Sequence, residues 1–181
     1  IRRGAAAVSA PARRGVRAQL FTVLLVGEGY AEEALLHHLK RLYAPRGSGV
    51  AVTIKNARGK GAGHVVDYAI GQTRNAAYDY KLALLDADVD WTPAVQKTAK
   101  QARVEVIACE PCLEALLLRA HGPLRDGLAS KELKRQFRSQ FGFAADEQRV
   151  YEEHFGDELL KQARERLSDL DRLVRAFGVR A

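Results

Sequence analysis

Carboxylate side chains follow three apolar segments of the sequence, at the point where each segment ends. In chain order these acids are Glu28 and Glu32, then Asp86, Asp88 and Asp90, then Glu110 and Glu114. Carboxylates gathered in one place repel one another, so a positive group is needed between them. A hard divalent cation such as Mg²⁺ fits, because it takes oxygen ligands and leaves positions open for phosphate. The spacing predicts a metal site, provided that the fold brings the acids together.

Each acidic cluster also has a simpler interpretation, in which its members cap the N-termini of helices. Glu28 differs from the others, because Gly27 and Gly29 flank it and allow a backbone or a ligand to approach closely. The Asp-x-Asp sequence of Asp86 and Asp88, directly after an apolar segment, is the second specific signal. The two signals together support a site better than either does alone.

Strand and helix patterns alternate over the first two thirds of the chain. The strands are predicted at 21–26, 50–54, 81–85 and 104–108, and the helices at 30–43, 65–74, 93–103 and 111–120. Thr92 and Pro93 have the residue types of an N-cap and a first helical position. This alternation predicts an α/β fold with a mainly parallel four-stranded sheet flanked by helices. In such sheets ligands bind outside the carboxyl ends of the strands, which is where the acids lie.

The two ends of the chain differ from this α/β part, which we expect to span residues 20–121. Five of the 29 basic residues are arginines within the first twenty residues, which contain no acid, so residues 1–19 are predicted to be a basic, flexible arm. The other 24 basic residues nearly balance the 22 acidic ones. Residues 122–181 show only helical patterns, including 130–141 and 157–177, and are expected to form a helical extension that packs on the same domain.

Two basic segments could contact the phosphates of a nucleic acid. The glycine-rich loop at 56–63 carries Arg58 and Lys60, and its glycines could present backbone N–H groups to a phosphate; a flexible surface loop is the alternative. A second set shares one face of the predicted helix at 130–141, where a solvated surface is the alternative. Its members are Lys131, Lys134, Arg135 and Arg138.

The acidic segments resemble the TOPRIM domain, a family that carries a glutamate after its first strand and an Asp-x-Asp after a later one. The matching segments are Val23-Leu-Leu-Val-Gly-Glu28-Gly-Tyr-Ala-Glu32 and Leu84-Leu-Asp86-Ala-Asp88. Within the family, the segment Ala108-Cys-Glu-Pro111-Cys112-Leu-Glu114 is similar to the RloB branch. The resemblance spans residues 21–119. It departs from the family at Ala31, Cys109 and Leu113, where threonine, serine and phenylalanine are expected, and these departures concern substrate contacts more than metal binding.

The resemblance implies a Rossmann-like TOPRIM fold and action on the phosphodiester bonds of DNA or RNA. Topoisomerases and primases of this family have large additional domains, so a nuclease-like role in prokaryotic restriction or phage defence, with an ATPase as a partner, is the expectation for this chain. Asp86 and Asp88 would then hold Mg²⁺ or Mn²⁺, and Glu28 would complete the coordination or act as a general base. The remaining acids, as second-metal ligands or outer partners, would be Glu32, Asp90 and Glu114.

Two other functions fit parts of the sequence. The same acids could bind a metal ion and a nucleic acid without cleaving it, because a fold does not fix a function. Cys109 and Cys112 lie between a predicted strand and a helix, as redox dithiols do, which would suit a thiol oxidoreductase. Two cysteines cannot build a disulfide scaffold, and no apolar run approaches the roughly 20 residues of a membrane span. We therefore expect a cytoplasmic protein that is not embedded in a membrane.

Overall fold

Strands and helices alternate as far as the fourth helix, and four more helices follow. The computed structural model describes residues 20–87 and 90–179. Its strands are β1 (Phe21–Gly27), β2 (Val50–Asn56), β3 (Tyr80–Asp86) and β4 (Glu105–Cys109). The helices in this part are α1 (Tyr30–Tyr43), α2 (Gly61–Gln72), α3 (Pro93–Gln101), α4 (Leu113–His121), α5 (Ser130–Phe141), α6 (Gln148–His154), α7 (Asp157–Arg164) and α8 (Ser168–Arg175).

The four strands form one sheet in the order β2-β1-β3-β4, and every neighbouring pair is parallel. The predicted α/β architecture with four strands is confirmed, and the sheet is entirely parallel where a mainly parallel one was expected. The strand order changes direction between β1 and β3, because β2 lies on one side of β1 while β3 and β4 lie on the other. This change makes the carboxyl ends of β1 and β3 the expected ligand crevice of the sheet.

Both faces of the two central strands are buried, which explains why residues 23–26 of β1 and 82–85 of β3 are continuous apolar runs. Alternate residues of β1 point to opposite faces: Val23 and Leu25 join one core, whereas Leu24 and Val26 join the other. Helices α2 and α3 supply the second core, and α1 and α4–α8 supply the first. The helices after α4 therefore pack on the same side of the sheet as α1.

The last helices share their core with the sheet. Phe137, Tyr151 and Leu170 are fully or almost fully buried in the same cluster as Leu84 of β3. The prediction of one continuous helix at 157–177 is wrong, because α7 ends at Arg164 and α8 begins at Ser168. The break lets both halves bury their apolar residues in this cluster.

An ion pair spans the break between α7 and α8. The guanidinium of Arg164 donates two hydrogen bonds, of 3.0 and 2.8 Å, to Oδ1 of Asp171. The apolar spacing runs through the break without interruption, which is why the sequence suggests a single helix.

Helix ends show where local signals are sufficient and where they are not. Thr92 caps α3 as predicted, because its Oγ1 accepts a hydrogen bond from the backbone N–H of Val95. Helix α2 begins at Gly61, before the predicted start at 65, and α4 begins at Leu113, after the predicted start at 111.

The predicted arm at 1–19 lies outside the described residues. Within the described ranges, no helix is both long enough and apolar enough to cross a membrane.

Candidate functional site

The structure brings Glu28 and Asp86 into contact at the change in strand order. Glu28 follows β1 and Asp86 ends β3, and the backbone N–H of Asp86 donates a 3.1 Å hydrogen bond to Oε2 of Glu28. The backbone N–H of Glu28 in turn donates to the carbonyl of Leu84 over 3.0 Å. These bonds fix the Glu28 carboxylate against the end of β3, at the position where parallel sheets bind ligands.

The turn between β1 and α1 requires glycine at position 27. A Cβ atom on Gly27 would lie 2.8 Å from the Cβ of Glu32, closer than real Cβ atoms come, and 3.1 Å from the backbone nitrogen of Glu33, which is tighter than most Cβ contacts. This close approach folds α1 back over the end of β1. Oε2 of Glu32 accepts a 2.8 Å hydrogen bond from the N–H of Gly29, so the Glu32 side chain closes the first turn of α1.

Helix α4 brings a further acid to the same place. The N–H of Leu113, the first residue of α4, donates a 2.8 Å hydrogen bond to Oδ1 of Asp86. Asp86 thus accepts a hydrogen bond at a helix N-terminus, which favours a negative charge. Glu114, the next residue of α4, is only 7% exposed. We call Glu28, Glu32, Asp86 and Glu114 the acidic floor.

Burial and mutual repulsion raise the pKa values of two acids of the floor. Burial raises the pKa of Glu32 to about 7, and the neighbouring charges of Asp86 and Glu28 contribute to the increase. Burial also raises the pKa of Asp86 to about 6; its bond from Leu113 and the charge of Lys134 act in the opposite direction. Both acids therefore hold their protons to a higher pH than exposed carboxyl groups do.

The acidic floor and four basic residues of α5 line the same cleft of about 1010 Å³. Nζ of Lys134 lies 3.9 Å from Oδ2 of Asp86 and connects the two groups. The pKa of Lys134 is raised by the charges of Glu114 and Asp86, although its partial burial acts against this. We call these basic residues the basic wall; it consists of Lys131, Lys134, Arg135 and Arg138.

The other predicted basic segment, the glycine-rich loop at 56–63, does not place its basic residues on the cleft. Arg58 and Lys60 are exposed and do not line it, whereas Gly59 between them does. The N–H of Gly59 donates to the carbonyl of Glu28 over 2.7 Å, and the N–H of Arg58 donates to Oδ1 of Asn56, also over 2.7 Å. Of the glycine N–H groups that we expected to face a phosphate, that of Gly59 is therefore already engaged, because its bond holds the loop against the residue that follows β1.

One of the predicted metal ligands in the described residues does not join the acidic floor. Asp90 is exposed, lies beside Gly61 at the start of α2 and is not among the residues that line the cleft. Asp88 lies outside the described residues. Four of the five predicted ligands in the described ranges thus line one cleft.

Sequence reasoning missed Tyr30, which lines the cleft as the first residue of α1 and is 66% exposed. Its position directly after Gly29 was the available signal, because the first turn of a helix that begins at the ligand edge of a sheet faces that edge. The far end of the cleft, formed by Ala144, Ala145 and Asp146, was also missed. These residues connect α5 and α6 and carry no motif.

The cysteine pair lacks the property that a redox dithiol needs. Cys109 and Cys112 are both buried. Burial raises the pKa of the Cys112 thiol to about 11 and also raises the pKa of Cys109. Reactive cysteines have lowered pKa values in electropositive, accessible surroundings. The arrangement therefore favours a structural role for both thiols over the oxidoreductase alternative.

The oxygen ligands of the floor suit a magnesium or manganese ion held partly by the substrate. Among the described residues, no group of three or more His, Cys, Asp or Glu side chains could hold a metal ion. Mg²⁺, however, is usually bound by one or two carboxylates together with waters and substrate phosphates. Glu28 and Asp86 are two carboxylates that backbone hydrogen bonds hold at the same end of the sheet, so this pair supplies the oxygen ligands that such a site requires.

In comparisons with known proteins, no family model matches this chain, and no curated protein or solved structure matches it at a significant level. The resemblance to the TOPRIM domain thus depends on the residues quoted for it and on their positions in the fold.

Proposed function

We propose that this protein is a nuclease-like enzyme of TOPRIM type, which uses a divalent metal ion to act on phosphodiester bonds of nucleic acid. One observation carries the proposal: Glu28 and Asp86 touch at the change in strand order and share a cleft with the basic wall. Acids suit a metal ion, and bases suit the phosphates on either side of the reacting one. A cleft that combines both is suited to phosphodiester chemistry.

In this proposal Asp86 holds Mg²⁺ or Mn²⁺, together with Asp88, which lies outside the described residues. The bound ion supplies Lewis-acid stabilisation of the phosphate and a lowered pKa for an attacking water. Glu28 completes the ligand set or accepts the proton of that water. Glu32 and Glu114 are buried beside the site, where their charges stabilise the cation and orient its ligands.

The basic wall holds the substrate in this proposal. Its side chains line the same cleft as the floor, so a phosphate bound in this cleft would contact cations from α5 while it meets the metal site. Lys134, which lies 3.9 Å from Asp86, would exchange part of this contact for one with the phosphate. Such positioning contributes to catalysis because the reacting groups are held in place.

A binding module that does not cleave nucleic acid is the second candidate. The observation that favours it is the lack, among the described residues, of a set of three metal ligands. Two carboxylates could hold a metal ion that only bridges the protein and a phosphate. This candidate predicts metal-dependent binding without any product.

An assay of metal-dependent cleavage tests the proposal. Labelled single-stranded and duplex DNA and RNA are incubated with the protein in Mg²⁺, in Mn²⁺ and in EDTA. We expect cleavage with either metal, and a loss of at least about a hundredfold in Asp86→Asn and Asp88→Asn. Glu110→Gln is the matched control, because Glu110 follows β4 at the same edge but does not line the cleft. Binding without cleavage would favour the second candidate, and unchanged turnover in Asp86→Asn would remove Asp86 from the mechanism.

A further inference from the structure

An exposed aromatic ring stands at the cleft, among charged groups. Tyr30 is 66% exposed, more than any of the other large hydrophobic residues that are exposed in the described ranges. It lies one residue after Gly29 and lines the cleft that contains the acidic floor and the basic wall. A large exposed ring without a core role is available for contact with a ligand.

We propose that the cleft binds single-stranded nucleic acid, with one base stacked on Tyr30 and the adjacent phosphates on the basic wall. This inference rests on the proposed function for its phosphodiester substrate and adds the strandedness of that substrate. Stacking on aromatic side chains is how many proteins bind single strands without reading their sequence.

Stacking on Tyr30 is the first reason to expect a single strand in the cleft and not a duplex. An unpaired base has a free face for the Tyr30 ring, whereas a base inside a duplex is covered on both faces by its neighbours. The buried floor supports the same conclusion. Glu32 and Glu114 are 6% and 7% exposed, so a phosphodiester must enter the cleft to approach them. A cleft of about 1010 Å³ has the size of a small-ligand pocket, which one strand can enter more easily than two.

Two arginines of the basic wall can exchange their carboxylate partners for the phosphates of a strand. Arg135 pairs with Glu132 over 3.0 Å and Arg138 pairs with Glu147 over 4.0 Å, and both arginine side chains are mostly exposed. Exposed ion pairs contribute little stability, so exchanging these carboxylates for phosphates costs little. Contacts with phosphates do not depend on sequence, as expected for a site that combines stacking with charge.

Fluorescence anisotropy tests this inference without relying on cleavage. Labelled ten-nucleotide strands of DNA and RNA, and the corresponding duplexes, are titrated with the full chain in Ca²⁺, and a gel confirms that the label stays intact. We expect tighter binding of the single strands, and a loss of about tenfold for them in Tyr30→Ala. Tyr30→Phe should bind as the wild type does. Phe21→Ala is the matched control, because Phe21 is also an exposed aromatic residue but begins β1, at the end of the strand opposite to the cleft.

The outcomes separate this inference from the proposed function. Equal binding of duplex and single strand, or unchanged binding in Tyr30→Ala, would overturn the stacking site while leaving metal-dependent cleavage intact. A loss in Phe21→Ala as large as that in Tyr30→Ala would also overturn it, since the effect would then be general destabilisation. Absence of binding to every nucleic acid would contradict both proposals.

Discussion

The acidic floor and the basic wall line the same cleft, but the floor is largely buried whereas the wall is exposed to solvent. Three of the four floor acids, Glu28, Glu32 and Asp86, accept hydrogen bonds from backbone N–H groups, and two of the four are more than nine-tenths buried. The wall residues remain exposed on one helix; the Lys134 side chain is 53% exposed. Buried charges cost free energy in the folded state, whereas exposed ones cost little. The floor should therefore affect folding, and the wall should affect binding.

The largest effect that we expect is a change of the free energy of unfolding with pH, which depends on the floor and not on the wall. Glu32 has a pKa of about 7 in the folded protein and 4.5 as its ordinary value. Because the folded state holds this proton more tightly, stability should fall as pH rises from about 4.5 to 7, by about 3 kcal/mol from this group. Glu32→Gln cannot ionise, and its amide oxygen can still accept the bond from Gly29. Urea unfolding in EDTA between pH 4 and 8 should give a flatter stability profile for this variant.

The control for Glu32 comes from the wall. Arg138→Gln removes an exposed charge from the same cleft, and we expect its stability profile to follow that of the wild type within about 0.5 kcal/mol. If Glu32→Gln instead ran parallel to the wild type over the whole pH range, burial of the floor charge would not oppose folding, and the contrast between floor and wall would fail.

The next effect concerns the backbone that positions the floor. Gly27→Ala would press a methyl group against Glu32 and Glu33, and should reduce the free energy of unfolding by about 2 kcal/mol. Gly29→Ala is the matched control two residues away, where the nearest atom is Oε2 of Glu32 at 3.4 Å, an ordinary contact. Chemical denaturation of both variants measures the difference. Equal losses would show that the close approach at Gly27 is relieved without cost.

A third prediction sets the wall against the other basic segment. Arg135→Gln with Arg138→Gln should weaken binding of a single strand by about tenfold at low salt and reduce the salt dependence. Arg58→Gln with Lys60→Gln removes the same charge from two loop residues that do not line the cleft, and should change binding by less than about twofold. Titrations at several salt concentrations give both slopes. Equal losses in the two double variants would show that the substrate contacts the loop as well.

The floor was largely predictable from sequence; the residues of the wall were also named as candidates, but that they share a cleft with the floor was not predicted. Glu28 and Asp86 follow apolar strands directly, so the rule that parallel sheets bind ligands at the carboxyl ends was enough to bring them together. The bases of α5 share a helical face, but the spacing within one helix cannot show what that face opposes. That depends on how α5 packs through Phe137 and Phe141, which is a tertiary contact. For the same reason, the sequence offered both Arg58 and Arg138 as phosphate contacts and could not show which of them lines the cleft.

The smallest effect we predict lies where floor and wall meet. Lys134 places a positive charge 3.9 Å from Asp86, so it competes with any cation that this carboxylate binds. Lys134→Met removes the charge and should tighten binding of Mn²⁺ by about fivefold, a modest effect because solvent screens the half-exposed ammonium group. Lys131→Met is the control: Lys131 lines the same cleft but forms no ion pair with any residue in 20–87 or 90–179. Calorimetric titration of Mn²⁺ in the absence of nucleic acid measures both variants. Weaker Mn²⁺ binding in Lys134→Met would mean that Lys134 orients Asp86 for the metal ion, and the wall would then be part of the metal site.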